Sequence, residues 1–539
     1  MKTSLLAALL FSTAVLAADR RPVLAVLPPA APDPAGRELA LMIQARTTAM
    51  LTTSNKYSEV HLKQILAMAG REGLDIESLD PKLSDRAAKL LGAERVAWGA
   101  LEHNDKGYKL KAVTTDLKRL IRVEVQLGSD LAKAVEAAAT SLSHAMLKID
   151  DISGFKSPPA IWTKSDAAMQ AYSHCYATVV RQPMGIENPA VLDSAELEIA
   201  IGQCKEAVAA DPKFAAASAA LGLAYAIVGN DAEAVKALAP IQGADLDQPL
   251  YWIARFWEVT RYQSNEAGEG LLREAISKRP DFLLARSYLG ELLDVLGKYD
   301  KSEAAWREYL AAAPADPYVM GRLGKSLARQ NKHPEAITTT QQALALEPKS
   351  REMRLQLASR HIDAGKVDDA LPLLTALADE PDARGEAMLR LGWAYWLKGS
   401  PELAQPWLEK AITRAKSPAD WRTRGRAQYD LALVYAKKGD AGKTESSLKA
   451  AILSGYRVKD VDPSLTKAVQ KLEKQALSLS DAAPVARDGG AAPKTAKGSK
   501  DAPTIIPREV SLFPVDKFGD VAPATEKPPP PEGFMVVHF

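Results

Sequence analysis

The spacing of apolar positions changes along the chain. Residues 22–27 (PVLAVL) form a short continuous apolar run closed by Pro28 and Pro29, which predicts a buried strand. Over residues 36–53 the apolar positions Leu39, Met42, Ile43 and Met50 fall at helical spacing. Two shorter helical stretches follow, residues 61–69 and 84–91, the second ended by Gly92. Residues 95–101, 108–115 and 119–126 then read as strands, with Asn104, Asp105 and Gly107 marking a hairpin. A helix over 129–148 closes this stretch, so residues 18–150 are expected to form a compact α/β domain. A linker over 151–164, containing Pro158 and Pro159, separates it from a different pattern.

That second pattern is a repeat. Leu221-Gly222, Leu289-Gly290, Leu323-Gly324, Leu357-Ala358 and Leu391-Gly392 stand on one 34-residue register. Arg255-Phe256 occupies a degenerate slot of the same register, and Leu431-Ala432 comes late because of an insertion near 417–420. Tyrosines recur at Tyr225, Tyr395 and Tyr435, alanines at Ala234, Ala336, Ala370 and Ala404, and prolines at Pro212, Pro280, Pro314 and Pro348. This pattern resembles the tetratricopeptide repeat, in which a small residue lets a first helix A approach a second helix B and larger residues fill the space between them. One more unit precedes the run: Ala200, Cys204, Ala207 and Pro212 fit a second helix whose partner lies at 165–182, beyond an insertion at 183–193. The resemblance implies about eight units ending near Gly455, with a capping segment at 458–477. The expected fold is mostly α: an α-solenoid of helix hairpins over 165–477, preceded by the small α/β domain.

The α/β stretch carries a second resemblance. The opening PVLAVLPP and the later DRAAKLLGAERVAWGALEHNDKGYKLKAVTTD, a helix leading through Leu-Gly-Ala into a strand and hairpin, resemble the amino-terminal domain of the periplasmic TolB protein. The Trp-containing final strand end usual in that family is absent. The likeness implies a role in envelope assembly, secretion or motility.

Composition narrows the function. A length of 539 residues implies two to four structural units. The net charge is only +2, with 25% charged residues, which argues against nucleic-acid binding. Lys2, an apolar stretch over residues 5–16 and Ala17 together form an export signal, with cleavage expected after Ala17. That stretch is short for a hydrocarbon core of ~30 Å, and no later run is long enough, so no membrane span is expected. The expected location is a periplasm. From residue 478 to 539 the sequence is rich in Ala, Pro, Gly, Lys and Asp, a composition expected to be disordered, with apolar islands at 505–518 and 533–539.

Motifs for catalysis do not assemble. In residues 320–326 (MGRLGKS) Gly321 and Gly324 are too close for a phosphate loop, and the turn after the first strand holds proline where a dinucleotide fold needs glycine. No histidine stands in a metal-binding pattern, and Asp460 with Asp462 does not form a calcium loop. His174 and Cys175 are adjacent on a helix and diverge. No catalytic, cofactor-binding or metal residue is assigned, and the Lys/Asn carboxylate clamp of some family members is absent at Ser287, Glu291, Leu355 and Ser359.

The expected function is therefore a periplasmic scaffold or adaptor that binds other proteins in an envelope complex. A peptide or helix would lie in a concave groove lined by helix A. The candidate groove residues are Trp257, Glu291, Asp294, Lys325, Arg329, Trp393, Trp396, Tyr429 and Leu433, grading from acidic to basic to aromatic. The competing reading of the tryptophans is burial against adjacent helices. A regulatory sensor with a ligand in the α/β domain, and a cell-envelope enzyme, are the rival functions. In an oxidising compartment Cys175 and Cys204, on facing sides of the first hairpin, are expected to form a disulfide.

Overall fold

The computed structural model describes residues 20–74, 81–153, 162–181, 194–228, 230–241, 249–262, 264–416 and 420–454, with 456, 465–466 and 468–469 beyond them. The expected leader, most of the 151–164 linker, the 183–193 insertion, most of the 458–477 cap and the 478–539 tail lie outside the described residues. The chain divides into two compact units, one through Lys366 and one from Val367.

The first unit opens with a five-stranded sheet. Its strands are β1 (Val23–Val26), β2 (Ser58–Glu59), β3 (Arg95–Asn104), β4 (Gly107–Thr115) and β5 (Leu120–Gln126), in the order β2-β1-β3-β4-β5. The β2-β1 and β1-β3 pairs are parallel, and β3-β4 and β4-β5 are antiparallel. Every residue of β1 is buried, as its unbroken apolar run requires of a parallel strand covered on both faces. Among the described residues, four helices belong to this domain: α1 (Pro34–Thr53), α2 (Leu62–Glu72), α3 (Pro81–Leu90) and α4 (Leu131–Ile149). Asp33 caps α1 by accepting from the Gly36 N–H at 2.7 Å, and Asp130 caps α4 through the Lys133 N–H at 3.0 Å. Leu24, Val26, Leu51, Tyr57, Ala97, Met146 and Leu147 form one buried cluster that ties sheet to helices.

Helical hairpins complete the first unit: α5 (Asp166–Arg181) with α6 (Ser194–Ala210), α7 (Ala215–Val228) with α8 (Asp231–Leu238), α9 (Pro249–Tyr262) with α10 (Asn265–Lys278), α11 (Leu283–Val295) with α12 (Tyr299–Ala312), and α13 (Pro317–Arg329) with α14 (His333–Leu346). The unit ends on α15 (Arg351–Asp363). The second unit holds α16 (Val367–Ala378), α17 (Gly385–Leu397), α18 (Pro401–Arg414), α19 (Trp421–Lys437) and α20 (Ala441–Leu453). The recurring glycine does what the repeat pattern asks of it. A Cβ on Gly290 of α11 would stand 2.5 Å from the Trp306 ring of α12, and one on Gly392 of α17 would stand 2.7 Å from Leu408 of α18. In these two hairpins only a bare backbone lets the helices come that close.

Candidate functional site

The α/β domain is seated on its own repeats. The turns that lead into α11, α13 and α15 begin at Arg279, Ala313 and Glu347, on the 34-residue register of the repeat. β2, α2 and the turn after α3 engage these three turns. At the first turn the Glu59 N–H donates to the Asp281 carbonyl at 3.1 Å, and Glu59 forms an isolated parallel bridge with Phe282. The Arg279 guanidinium donates to Glu59 Oε2 at 3.1 Å and to Asp281 Oδ2 at 2.7 Å, and all three side chains are buried. Burial disfavours the charge on Arg279, yet Glu59 and Asp281 outweigh it and raise its pKa. At the second turn Gln64 donates to the Tyr309 hydroxyl at 3.1 Å, and that hydroxyl donates to Asp316 Oδ2 at 2.9 Å. Gly92 lies against the same turn with φ of +60°, where an added Cβ would be 2.6 Å from the Ala315 carbonyl carbon. At the third turn Ser350 donates to Glu72 Oε1 at 2.6 Å, and Arg86 donates to Glu72 Oε2 at 3.1 Å.

The first hairpin is gripped as well. Lys63 Nζ donates to the carbonyls of Val179 and Val180, at 3.3 and 3.2 Å, where α5 leaves its last carbonyls unsatisfied. Burial pushes the Lys63 ammonium down to about 7. His61, also buried and close to the positive charges of Lys63 and Arg279, is pushed down to about 3. Asp166 of α5 accepts from the backbone N–H of Leu131 at 2.5 Å and of Ala132 at 3.2 Å, so the first repeat helix helps cap α4. His174 and Glu38 meet at 2.6 Å. Cys175 and Cys204 are joined across the α5-α6 hairpin with Cα atoms 5.3 Å apart.

Seven of the nine residues expected to line a groove are buried: Trp257, Glu291, Asp294, Lys325, Trp393, Tyr429 and Leu433. Trp257 packs against Phe256 and Tyr288, with ring centroids 5.3 and 6.4 Å away. Asp294 accepts from Ser302, from Ser326 at 2.6 Å and from the Trp306 indole at 3.3 Å, so it links three successive helices, α11, α12 and α13. Lys325 lies one repeat beyond Glu291, on α13, and Arg329 is half-buried near the end of the same helix.

In the second unit the aromatic residues do gather. The Arg426 guanidinium lies 4.9 Å from the Trp393 ring centre and 5.7 Å from that of Tyr429. It donates to the Tyr456 hydroxyl at 3.0 Å and stands 2.8 Å from Asp430 Oδ1. Burial lifts the Asp430 carboxyl to about 6, against the opposing pull of Arg426. Trp396 is only half-buried, with the Lys437 ammonium 5.3 Å from its ring centre. Leu397, next to it, is 40% exposed, whereas Leu433 packs inward. Sequence spacing grouped Arg329 and Trp396 with the buried positions and missed Leu397 and Arg426. Among the described residues no group of three or more His, Cys, Asp or Glu could hold a metal ion, and no helix is long and apolar enough to cross a membrane.

A family model described as Tetratricopeptide repeat matches residues 263–317, 289–351 and 355–420, and these stretches are tetratricopeptide repeats. No curated protein matches the chain. Among solved structures, a tetratricopeptide repeat protein from Parabacteroides merdae is 15% identical, with 57% of this chain and 99% of that one covered at a TM-score of 0.36. YrrB, described as a TPR protein with an unusual peptide-binding site, is 15% identical over 38% of this chain and 97% of its own, at a TM-score of 0.26. PilW, described as a widely conserved type IV pilus biogenesis factor, is 20% identical over 40% of this chain and 96% of its own, at a TM-score of 0.32.

Proposed function

We propose that this chain is an exported, periplasmic scaffold that holds partner proteins of the cell envelope, and that recognition centres on the helix A face of its second unit. The observation that carries this reading is a half-buried Trp396 on α17 with the Lys437 ammonium of α19 beside its ring, next in sequence to an exposed Leu397. Large apolar side chains held rigidly by a packed layer beneath them are the usual anchors of protein interfaces, and a cation beside an indole adds orientation. One turn earlier on α17, Trp393 stacks with Arg426, which also reaches Tyr429, so the helix that carries Trp396 and Leu397 is packed against α19. In the first unit the corresponding face offers less. Asp294 bonds within the repeats, and Trp257 is packed against neighbouring rings. The α/β domain, which resembles an envelope-assembly domain, serves in this reading as a brace for the first repeats.

A photo-crosslinking residue placed at Leu397 of the full chain, expressed with its leader, tests the reading. A discrete adduct, recovered from the periplasmic fraction and weakened by Trp396→Ala, is expected. The same label at Leu453, which is 63% exposed on α20, serves as the comparison. Identical adducts at both positions, or retention of the uncleaved chain in the cytoplasm, would overturn it.

A further inference from the structure

The sheet has two edges, and among the described residues only one of them is covered. The outer side of β2 meets the repeat turn at Phe282. β5 is the last strand at the other side, and among the described residues no strand pairs with its outer edge. The register identifies the backbone groups exposed there. Leu127 donates to the Tyr108 carbonyl, and the β4-β5 pairing runs from Lys109↔Gln126 to Thr115↔Leu120. Hydrogen-bonded and non-hydrogen-bonded pairs alternate in an antiparallel ladder. Ile121, Val123 and Val125 therefore spend their N–H and C=O groups on β4. Leu120, Arg122, Glu124 and Gln126 direct theirs outward.

The side chains of this strand, LIRVEVQ, are self-complementary about Val123. A second β5 laid antiparallel with Val123 opposite Val123 places Arg122 opposite Glu124, and Glu124 opposite Arg122. Ile121 then faces Val125. The pairing is also consistent with the backbone, because outward-facing residues meet outward-facing residues and can exchange both hydrogen bonds. Sliding the register by two residues either way sets Arg122 against Arg122 or Glu124 against Glu124, and like charges directly opposite are destabilising. The polar face already carries alternating charge across the sheet: Glu102 of β3 pairs with Lys111 of β4 at 2.8 Å, and Lys109 of β4 pairs with Glu124 of β5 at 2.7 Å. A second strand in this register continues the alternation with Arg122. On the opposite face Ile121 and Val125 are only half-buried, and a neighbouring strand would finish covering them.

We propose that β5 is a homodimerisation edge at which two copies of this chain join through a two-fold axis at Val123, extending the sheet from five strands to ten. The contact is isologous, so it closes at two copies and leaves no free edge on either side of the junction.

Sedimentation and light scattering on the full mature chain, over a range of concentrations, test this with three variants. The wild type is expected to show a concentration-dependent dimer. Arg122→Glu and Glu124→Arg each turn two attractive pairs into two repulsive ones, and each should weaken dimerisation by about tenfold or more. The combined Arg122→Glu with Glu124→Arg exchanges the charges and should restore the dimer. Both side chains are exposed, so the variants are expected to keep the wild-type melting profile, which is measured alongside. A wild type that stays monomeric at every concentration would overturn the proposal. So would a dimer indifferent to the single reversals, or a double exchange that fails to recover while its melting profile is intact.

Discussion

Replacing Arg279 by methionine is the most direct probe of how the α/β domain is held. The guanidinium sits between two carboxylates, 3.1 Å from Glu59 and 2.7 Å from Asp281, with side-chain exposures of 7%, 3% and 7% for arginine, glutamate and aspartate. At an effective dielectric constant of about 20, a contact at this range has a gross Coulomb energy on the order of 5 kcal/mol. Desolvation offsets most of that gain in the intact site, so the trio as a whole adds little net stability. Removing the cation alone is different, because it strands two buried carboxylates. The Arg21 guanidinium, 3.5 Å from Asp281, reaches only one of them. Breaking a buried ion pair in this way costs about 3–5 kcal/mol. Denaturant unfolding of Arg279→Met should show that loss in the transition of the first unit. Hydrogen exchange should quicken at the Glu59 N–H, which bonds the Asp281 carbonyl. The double variant Glu59→Met with Arg279→Met removes one stranded charge and should recover part of the stability. A loss below about 1 kcal/mol for Arg279→Met, or a double variant weaker than the single one, would refute the claim that this trio fastens the domain to the repeats.

Two further measurements bear on the same half of the chain. Lys63 has a folded-state pKa of about 7 against an ordinary 10.5, so between those values the unfolded chain holds a proton that the folded chain has released. Stability of the first unit should therefore rise with pH across that window, and Lys63→Met should remove the slope; identical slopes in the two proteins would count against burial of this ammonium. The Cys175–Cys204 bridge closes a separation of 29 residues, and reducing it should cost the first repeat about 3 kcal/mol. Labelling of both thiols in denatured, unreduced protein would show that the bridge does not form.

Much of this architecture is legible from spacing alone. Most helices and strands of the α/β domain follow hydrophobic period, and Gly92 marks a helix end. The Leu-Gly register locates the hairpins because a physical demand, close approach of helix A to helix B, recurs every 34 residues. β2 escapes such reading. Ser58 and Glu59 show no apolar alternation, and they form a strand because Val23 and Leu24 of β1 offer free backbone beside them. Nor does register separate a concave residue from a core one. Trp257 and Trp393 occupy slots that point away from their own hairpin partners, yet both are covered by neighbouring side chains. A slot gives the direction of a side chain along its helix, and the chemistry of the neighbours decides whether it meets solvent.

The seating of the α/β domain was hidden for a related reason, although a trace of it lies in the composition of the turns. A turn between repeats normally faces solvent, and its residues need only be polar. Here the turns before α11 and α15 carry Arg279 with Asp281 and Glu347 with Ser350, and all four are buried. Their partners Glu59 and Glu72 fall on the short β2 strand and at the end of α2, and Gln64, also on α2, meets Tyr309 at the second turn. Single buried polar groups are costly unless each is matched, so sets that match at three successive turns define one position of the domain among the many that apolar contact would tolerate. The repeats thus serve as a ruler. Their period sets where the turns fall, and the domain carries its polar groups at intervals that meet them. Shifting the domain by one repeat would set Glu59 beside Ala313 and Ala315 in place of Arg279 and Asp281, leaving a buried carboxylate without its cation. The docking register is therefore defined by charge at the first turn, while hydrogen bonds at the second and third add matched contacts on the same register.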